Sequence, residues 1–197
     1  MNRDELEEGL IELDMALAKA FPGPEAIECL VVGGACLLFQ GITNRVTEDI
    51  DVIIFNLMGS EETTLIFKTP LATKICTIIK RVGKQRYGLK GDHQLFFNDN
   101  CAPFLLELGR NILPDMRLFK KYQKLHLYIP NDLKYLLALK LMAGRPEKDH
   151  DDIRKLCERL NVQNRAQAKA VVDIYFPSLR DQFDYRLPNT LQELFKE

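Results

Sequence analysis

The chain has 197 residues, of which 46% are hydrophobic and 28% charged, and its formal net charge is −1 at pH 7. This balance excludes a protein that binds nucleic acid through its overall charge, so such contact would need a local basic patch. The apolar runs are shorter than the ~20 residues needed to span a membrane, and the acidic N-terminus lacks the order of a signal peptide. Five scattered cysteines without a C-x-x-C pair indicate free thiols in a reducing compartment. We therefore expect a cytoplasmic protein without membrane contact.

The first half of the chain predicts a mixture of helices and short strands. An apolar stripe at helical spacing opens the chain, and the segment FPGPE ends it because two prolines and a glycine cannot continue a helix. Gly33-Gly34 follows a short apolar run and predicts a tight turn, and Gly41 is expected to close the next helix. The predicted helices are residues 3–20, 35–41 and 69–86, and the predicted strands are residues 27–32, 49–55 and 94–97.

After one more predicted strand at residues 124–129, the pattern becomes helical. Asn131 is a suitable N-cap for the next helix. The predicted helices here are residues 132–144, 148–160, 164–176 and 188–196. The whole chain predicts an α+β fold with a small mixed-sheet core. Residues 1–130 would form this core with its N-terminal helix, and residues 131–197 a C-terminal helical lobe, the two packed as one compact unit.

Two aspartates at the start of the second predicted strand suggest a metal site. Asp49 and Asp51 are two residues apart, and in a strand such side chains point to the same side. Two like charges so close repel each other unless a cation lies between them. Carboxylate oxygens are the ligands that Mg²⁺ prefers, with phosphates and water completing its shell. We therefore expect Asp49 and Asp51 to bind Mg²⁺ or Mn²⁺.

The double glycine suggests where a phosphate would bind. A strand followed by Gly33-Gly34 and a helix exposes backbone N–H groups, which suits a phosphate. Arg45 is placed to neutralise phosphate charge, and Thr47 is expected to support the site. Each feature alone has a simpler interpretation, because a D-x-D is often a polar strand end and Gly-Gly often a plain turn. The combination in this order favours phosphoryl or nucleotidyl transfer.

The segment LVVGGACLLFQGITNRVTEDIDVII resembles the signature of the polymerase-β nucleotidyltransferase superfamily. Its R-x-T-x-D-I-D form is similar to the AbiEii-like toxin nucleotidyltransferases and related uncharacterised bacterial proteins. The resemblance implies that Asp49 and Asp51 hold Mg²⁺ on a nucleoside triphosphate. Members of the superfamily usually present a third carboxylate from another core strand. Asp92 and Asp99 are the candidates, although a turn role suits each of them.

The C-terminal helices contain a second charged group. Lys140 is the only charged residue in an apolar stretch of helix, so it either extends to an edge or points at an anionic site. Asp149 and Asp152 extend the apolar face of the next helix, although helix capping also explains acids in a first turn. The segment resembles the K-x-x-A…R…K-D-x-x-D-I pattern of AbiEii-like proteins. That resemblance implies that Lys140 and Arg145 contact nucleotide phosphate, that Asp149 is catalytic, and that Asp152 orients Arg145 or Lys140.

Basic residues concentrate in the middle of the chain, where they indicate either a solvated face or a surface for RNA. They are Lys68, Lys74, Lys80, Arg81, Lys84, Arg86 and Lys90, followed by Arg110, Arg117, Lys120, Lys121 and Lys124.

These observations lead to one main functional hypothesis and two alternatives. The main hypothesis is a Mg²⁺-dependent nucleotidyltransferase that moves a nucleoside monophosphate from a nucleoside triphosphate to an acceptor hydroxyl. By resemblance the acceptor is tRNA or a protein, and the chain is the toxin of a toxin–antitoxin pair with an antitoxin partner. One alternative is a non-catalytic nucleotide-binding or antitoxin-like partner protein with the same fold. The other is a small-molecule nucleotidyltransferase of the antibiotic-modifying type.

Overall fold

The computed structural model of the protein describes residues 1–61, 64–66, 68–90, 95–101 and 113–195, with the side chains of residues 146–148 excepted. These residues form five strands and eight helices, which confirms the predicted α+β fold with a mixed sheet. The chain divides into two compact units. One unit contains Met1–Gly109 and Met116–Ile129, and the other contains Arg110–Asp115 and Pro130–Glu197.

The first unit contains the five-stranded sheet, whose order is β3-β2-β1-β5-β4. Strand β1 pairs with β2 in antiparallel orientation and with β5 in parallel, and β2 pairs with β3 in parallel. The register shifts between Glu28 and Cys29, where β2 has one extra residue. The strands are β1 (Ile27–Val31), β2 (Ile50–Leu57), β3 (Phe97–Asn98), β4 (Met116–Lys121) and β5 (Leu125–Pro130).

The pairing register separates the two faces of this sheet. Alternate residues of β1, β2 and β5 are at most 4% exposed and form the buried face: Ile27, Cys29, Val31, Ile50, Val52, Ile54, Leu125, Leu127 and Ile129. The other residues point to the opposite side. There Leu30 lies opposite Ile53, Glu28 opposite His126, and Asp51 opposite Asn98. We call this second side the polar face.

The described residues of the first unit also form three helices, and two of them, α1 and α3, begin at a side-chain cap. Helix α1 (Arg3–Ala20) has a capping box, in which Asn2 accepts from the Glu5 N–H and the Glu5 side chain accepts from the Asn2 N–H. Helix α3 (Pro70–Tyr87) starts after the N-cap Thr69 and ends at Gly88, which has a left-handed backbone. Helix α2 is Gly33–Phe39. The predictions for α1 and α3 are therefore confirmed to within a residue or two.

The described residues of the second unit form five helices: α4 (Leu133–Met142), α5 (Pro146–Leu160), α6 (Arg165–Tyr175), α7 (Leu179–Asp184) and α8 (Leu187–Leu194). The N-cap of α4 is Asp132 rather than the predicted Asn131. The Asp132 carboxylate accepts from the Lys134 N–H at 2.9 Å, whereas the Asn131 amide donates to the Asp115 carboxylate at 3.0 Å. Helix α6 begins at Arg165, one residue after the predicted start, and the side chain of its N-cap Asn164 accepts from the Gln167 N–H.

Several predicted boundaries were wrong. Helix α2 begins at Gly33 and ends at Phe39, so the glycines form its first turn instead of preceding it. Strand β2 begins at Ile50, which leaves Asp49 just before the strand. Helix α5 begins at Pro146, because proline is accommodated in the first turn of a helix. The predicted strand at residues 94–97 and the helix end at residue 196 fall partly outside the described residues.

Two elements had no sequence prediction. Strand β4 is an edge strand in which basic residues are frequent, so its sequence lacks the apolar alternation of a half-buried strand. Helix α7 has only six residues and leaves Leu179 and Phe183 exposed. In the part of the chain that the structure describes, no helix is both long and apolar enough to cross a membrane. All five cysteines are free thiols.

Candidate functional site

The turn from β1 into α2 places Asp51 against Gly33. Gly33 has φ +64°, and a Cβ atom at this position would lie 2.6 Å from Asp51 Oδ2. No residue with a side chain would fit without displacing that carboxylate, and a side chain would also be strained at this φ. The Asp51 carbonyl accepts from the Val32 N–H at 2.9 Å, which fixes the strand beside the turn. Glycine here thus lets the backbone and the carboxylate come together.

The second glycine of the turn lies against the loop that precedes β2. A Cβ atom on Gly34 would lie 3.3 Å from both Arg45 Nη2 and Thr47 Oγ1. The Thr47 hydroxyl donates to the Asp49 carbonyl at 3.1 Å, so it holds the backbone of the first aspartate. The structure therefore brings together four groups of predicted site residues: the two glycines, Arg45, Thr47 and the aspartates.

Asp49 lies beside a residue that the sequence analysis missed. Asn98 is 1% exposed on β3, opposite Asp51, and its Nδ2 donates to Asp49 Oδ2 at 3.1 Å. Asn98 therefore pairs with Asp51 along the sheet and contacts the carboxylate of Asp49. Asn98 stands next to Asp99 in FFNDN. Only the strand pairing, which the sequence does not reveal, distinguishes the two.

The orientation of the Asn98 amide is fixed by backbone groups. Its Oδ1 accepts from the Asn100 N–H at 3.0 Å, and its Nδ2 also donates to the Leu95 carbonyl at 3.3 Å. If the amide were flipped, its NH₂ would face the Asn100 N–H and its oxygen would face the Leu95 carbonyl. The unflipped orientation avoids both contacts, so the NH₂ group faces Asp49. Asn98 therefore orients a carboxylate and has no oxygen directed to a metal ion.

Neither candidate for a third carboxylate is placed at the site by the described residues. Asp99 is buried, and its Oδ2 accepts from the Thr64 hydroxyl at 2.6 Å and from the Leu65 N–H at 2.7 Å. These bonds give Asp99 a structural role in holding the segment after β2. Asp92 lies outside the described residues. Cys101 donates to the Val52 carbonyl at 3.4 Å; burial first, and then the nearby Asp51 and Asp99 carboxylates, raise its thiol pKa to about 12.

The chemistry of these donors suits a hard divalent cation. No set of three His, Cys, Asp or Glu side chains in the described residues is arranged to hold a metal ion. Asp49 and Asp51 offer carboxylate oxygens, which Mg²⁺ takes one or two at a time while water and substrate phosphates fill its other positions. Two carboxylates also balance the charge of one divalent ion. The residues present fit Mg²⁺ or Mn²⁺ held jointly with a phosphate-bearing substrate.

The predicted residues of the C-terminal helices form an ion cluster inside the second unit. Lys140 Nζ lies 2.8 Å from Asp149 Oδ1 and 3.0 Å from Asp152 Oδ2, and all three residues are at most 7% exposed. Arg145 lies at the surface with Nη2 3.3 Å from Asp149 Oδ2. The lysine therefore joins α4 to α5 through two carboxylates. The other predicted site residues, from Gly33 to Asp51, all belong to the first unit.

The basic segment contains several residues that serve the fold. Arg86 binds Glu8 and Glu12 of α1, and Lys120 Nζ lies 2.6 Å from Glu7 Oε2. Lys124 is fully buried and donates to the carbonyls of Gly23 and Glu25. The predicted basic surface is therefore smaller than the sequence indicated. Arg110 falls outside the described residues.

The comparisons with known proteins agree with this geometry at the level of the family. A family model described as "Nucleotidyltransferase of unknown function (DUF6036)" matches residues 8–165, a range that includes the glycine turn, both aspartates and the Lys140 cluster. Neither the curated proteins nor the solved structures give a significant match. The resemblance to the AbiEii-like group stays a prediction. Because the family model covers most of its length, the chain belongs to this family of nucleotidyltransferases of unknown function.

Proposed function

We propose that the protein transfers a nucleoside monophosphate from a Mg²⁺-bound nucleoside triphosphate to an acceptor hydroxyl. The observation that carries this proposal is the contact between the Asp51 carboxylate and Gly33, where a Cβ atom would lie 2.6 Å from Asp51 Oδ2. This contact brings the carboxylate that would hold the metal ion to a backbone turn that suits a phosphate. Membership of a nucleotidyltransferase family supports the same reaction.

The residues of the first unit would act mainly by positioning and by balancing charge. Asp49 and Asp51 would hold Mg²⁺ or Mn²⁺, which neutralises phosphate charge when bound. Asn98 keeps the Asp49 carboxylate in place through its N–H. The first turn of α2, whose N-cap makes no side-chain hydrogen bond, leaves backbone N–H groups for a phosphate, and Arg45 supplies positive charge beside Gly34.

The reaction itself breaks a phosphoanhydride bond and forms a phosphoester bond. The acceptor oxygen forms a bond to the α-phosphorus, the bond between the α-phosphorus and the bridging oxygen breaks, and pyrophosphate leaves with that oxygen. The acceptor loses its hydroxyl proton to solvent or to a nearby base. The resemblance to AbiEii-like toxins supports tRNA or a protein as acceptor, and a toxin–antitoxin pair as the biological setting.

Lys140 and Asp149 enter the proposal on the resemblance alone. Their ion pair of 2.8 Å, with Asp152 as a second partner of the lysine, equally supports a role in joining α4 to α5. If Asp149 is catalytic, Asp149→Asn should reduce the rate of nucleotidyl transfer by much more than the accompanying loss of folded protein explains.

The experiment follows label from each α-³²P nucleoside triphosphate, with Mg²⁺, into total tRNA or lysate protein. Asp51→Asn and Asp49→Asn remove one charge each without changing side-chain size. Asp4→Asn, at an exposed position of α1, is the matched control. We expect transfer by the native protein and the control but not by the two site variants. Equal transfer by all four proteins would show that these aspartates are not catalytic.

A second candidate function is nucleotide binding without catalysis. The observation that favours it is the amide of Asn98, which faces Asp49 with an N–H where another acid would strengthen metal binding. This candidate predicts that Mg²⁺ and nucleotide raise the unfolding temperature of the native protein, although no acceptor receives label. Asp51→Asn should abolish that rise.

A further inference from the structure

A group of polar and aromatic side chains lies on the polar face, away from the aspartates. Asn56 Nδ2 donates to Glu28 Oε2 at 2.7 Å, and the Tyr128 hydroxyl donates to Glu28 Oε1 at 3.4 Å. His126 Nδ1 lies 3.3 Å from the same Oε1. The rings of Phe55 and Tyr128 meet edge to face with centroids 5.2 Å apart. We call these five residues the ring patch.

The carboxylate at the centre of the ring patch orients its neighbours. The Asn56 hydrogen bond is the main cause that lowers the pKa of Glu28, so this carboxylate is ionised at neutral pH. An ionised carboxylate accepts hydrogen bonds, so it favours the His126 tautomer that carries its proton on Nδ1. In the neutral imidazole with its proton on Nδ1, the other ring nitrogen, Nε2, presents a lone pair. Within the part of the chain that the structure describes, no group hydrogen-bonds to Nε2.

Partial exposure makes the ring patch accessible to a ligand. Phe55, His126 and Tyr128 are half-buried, and the Glu28 side chain is 27% exposed. Leu30 and Ile53, which also lie on the polar face, are 0% and 9% exposed, so the exposure belongs to the ring patch and not to the whole face. A purely structural tie between strands would need only the 2.7 Å bond from Asn56 to Glu28. The rings add aromatic surface at the edge of solvent, which is what an aromatic ligand uses for stacking.

The position of the ring patch relative to Asp51 suits the length of a nucleotide. Val32 is level with Asp51, since the Val32 N–H donates to the Asp51 carbonyl, and Glu28 is four residues earlier on the same chain. At the rise of a strand, four residues correspond to about 13 Å along the sheet. Both groups are on the polar face. This separation is comparable to the length of an extended nucleotide.

We propose that the ring patch binds a nucleobase, by stacking on Tyr128 and by a hydrogen bond to His126 Nε2. The proposal deepens the proposed function and rests on it, because the phosphates at Asp49 and Asp51 set the direction of the nucleotide. The base belongs either to the nucleoside triphosphate or to a nucleic-acid acceptor, and the two sources share this chemistry. Stacking accepts every base, since each has a π-face, whereas Nε2 as acceptor favours bases with an amino or imino donor.

The test compares ligands with and without a base. Isothermal titration measures the binding of Mg²⁺ with each nucleoside triphosphate, of Mg²⁺ with inorganic tripolyphosphate, and of a short oligoribonucleotide without a 5′-triphosphate. The variants are Tyr128→Leu, which removes the ring, and Tyr128→Phe, which keeps it. Tyr122→Leu is the control: this tyrosine is also half-buried, but its ring lies beside Lys120, which binds Glu7 of α1.

We expect Tyr128→Leu to weaken binding of a base-containing ligand on the order of tenfold while tripolyphosphate binding is unchanged. Tyr128→Phe and Tyr122→Leu should match the native protein. A loss seen with nucleoside triphosphates assigns the patch to the substrate base, and a loss seen only with the oligoribonucleotide assigns it to the acceptor. Equal losses for tripolyphosphate and nucleotides, or no loss for any ligand, would overturn the proposal.

Two further measurements keep the result interpretable. Failure of tripolyphosphate to bind the native protein, or binding unaffected by Asp51→Asn, would count against the proposed function rather than against the ring patch. Circular dichroism checks that each variant is folded. If the Tyr128→Leu variant does not fold, His126→Leu is used for the same comparison, because it removes the Nε2 acceptor together with the imidazole ring.

Discussion

Replacing Gly33 by alanine tests whether the close approach of Asp51 is required for function. Gly33 has φ +64°, and its new Cβ atom would lie 2.6 Å from Asp51 Oδ2, 3.3 Å from Asp51 Cβ and 3.4 Å from Asp51 Cγ. Ordinary contact requires a separation close to 3.4 Å or more, so the carboxylate must shift by about 0.5–1 Å. Misplacement by ~1 Å is enough to lower a rate about a hundredfold.

Gly41 provides a matched control. It has φ +67°, but nothing lies within 4 Å of a Cβ atom built there. Alanine costs roughly 1–2 kcal/mol in the left-handed region at either position, so both variants should lose comparable stability in urea unfolding. Only Gly33→Ala should also lose nucleotidyl transfer, or Mg²⁺-dependent nucleotide binding if no acceptor is found, by about a hundredfold. Equal activity in the two variants would refute the role assigned to this contact.

Two other substitutions and one labelling experiment have defined outcomes. Asn98→Asp places a second carboxylate about 3 Å from Asp49, and the two negative charges repel each other. The unfolding temperature of this variant should fall without Mg²⁺ and recover with millimolar Mg²⁺. An unfolding temperature that does not depend on Mg²⁺ would contradict the proposed metal site. Lys140→Met leaves two buried carboxylates without a cation, so urea titration should show a free energy of unfolding lower by about 3–5 kcal/mol. The control is Lys169→Met, which breaks an exposed ion pair with Asp173 and should cost less than ~1 kcal/mol. Burial raises the pKa of the Cys36 thiol to about 12, so a thiol reagent at pH 8 should label Cys36 much more slowly in the native protein than in the unfolded one. Rapid labelling of Cys36 in the native protein would contradict this burial.

The elements with strong local signals were predictable from the sequence. Helix α1 has a capping box and an apolar stripe, and α3 has Thr69 and Pro70 at its start and Gly88 at its end. Each signal lies within the element that it defines. Strand β4 and helix α7 lack such signals, because the first is an edge strand with basic side chains and the second is only six residues long. Their formation depends on neighbours that are distant in sequence.

The same distinction explains which site residues were found. Asp49, Asp51 and the glycines lie within one short segment, and their order indicates their chemistry. Asn98 is 49 residues from Asp49, and only the parallel pairing of β2 with β3 brings the two together. Lys140 was recognised as anomalous because it is a charge in an apolar helix. The resemblance implied that Asp152 orients Arg145 or Lys140, whereas the ion pair of Lys140 with Asp149 was not predicted and comes from the structure.

Lys124 illustrates how a charged residue can be unavailable to solvent. Its ammonium group donates to two carbonyls of the segment between α1 and β1. The backbone N–H of Lys124 donates to the Asp14 carboxylate of α1 at 2.6 Å. The bond that follows Lys124 is a potential cleavage site for trypsin in the unfolded chain. In the folded protein this bond should resist digestion, because a protease must extract both the side chain and the surrounding backbone. The first cuts should therefore fall at exposed lysines and arginines, and cleavage after Lys124 would report global unfolding.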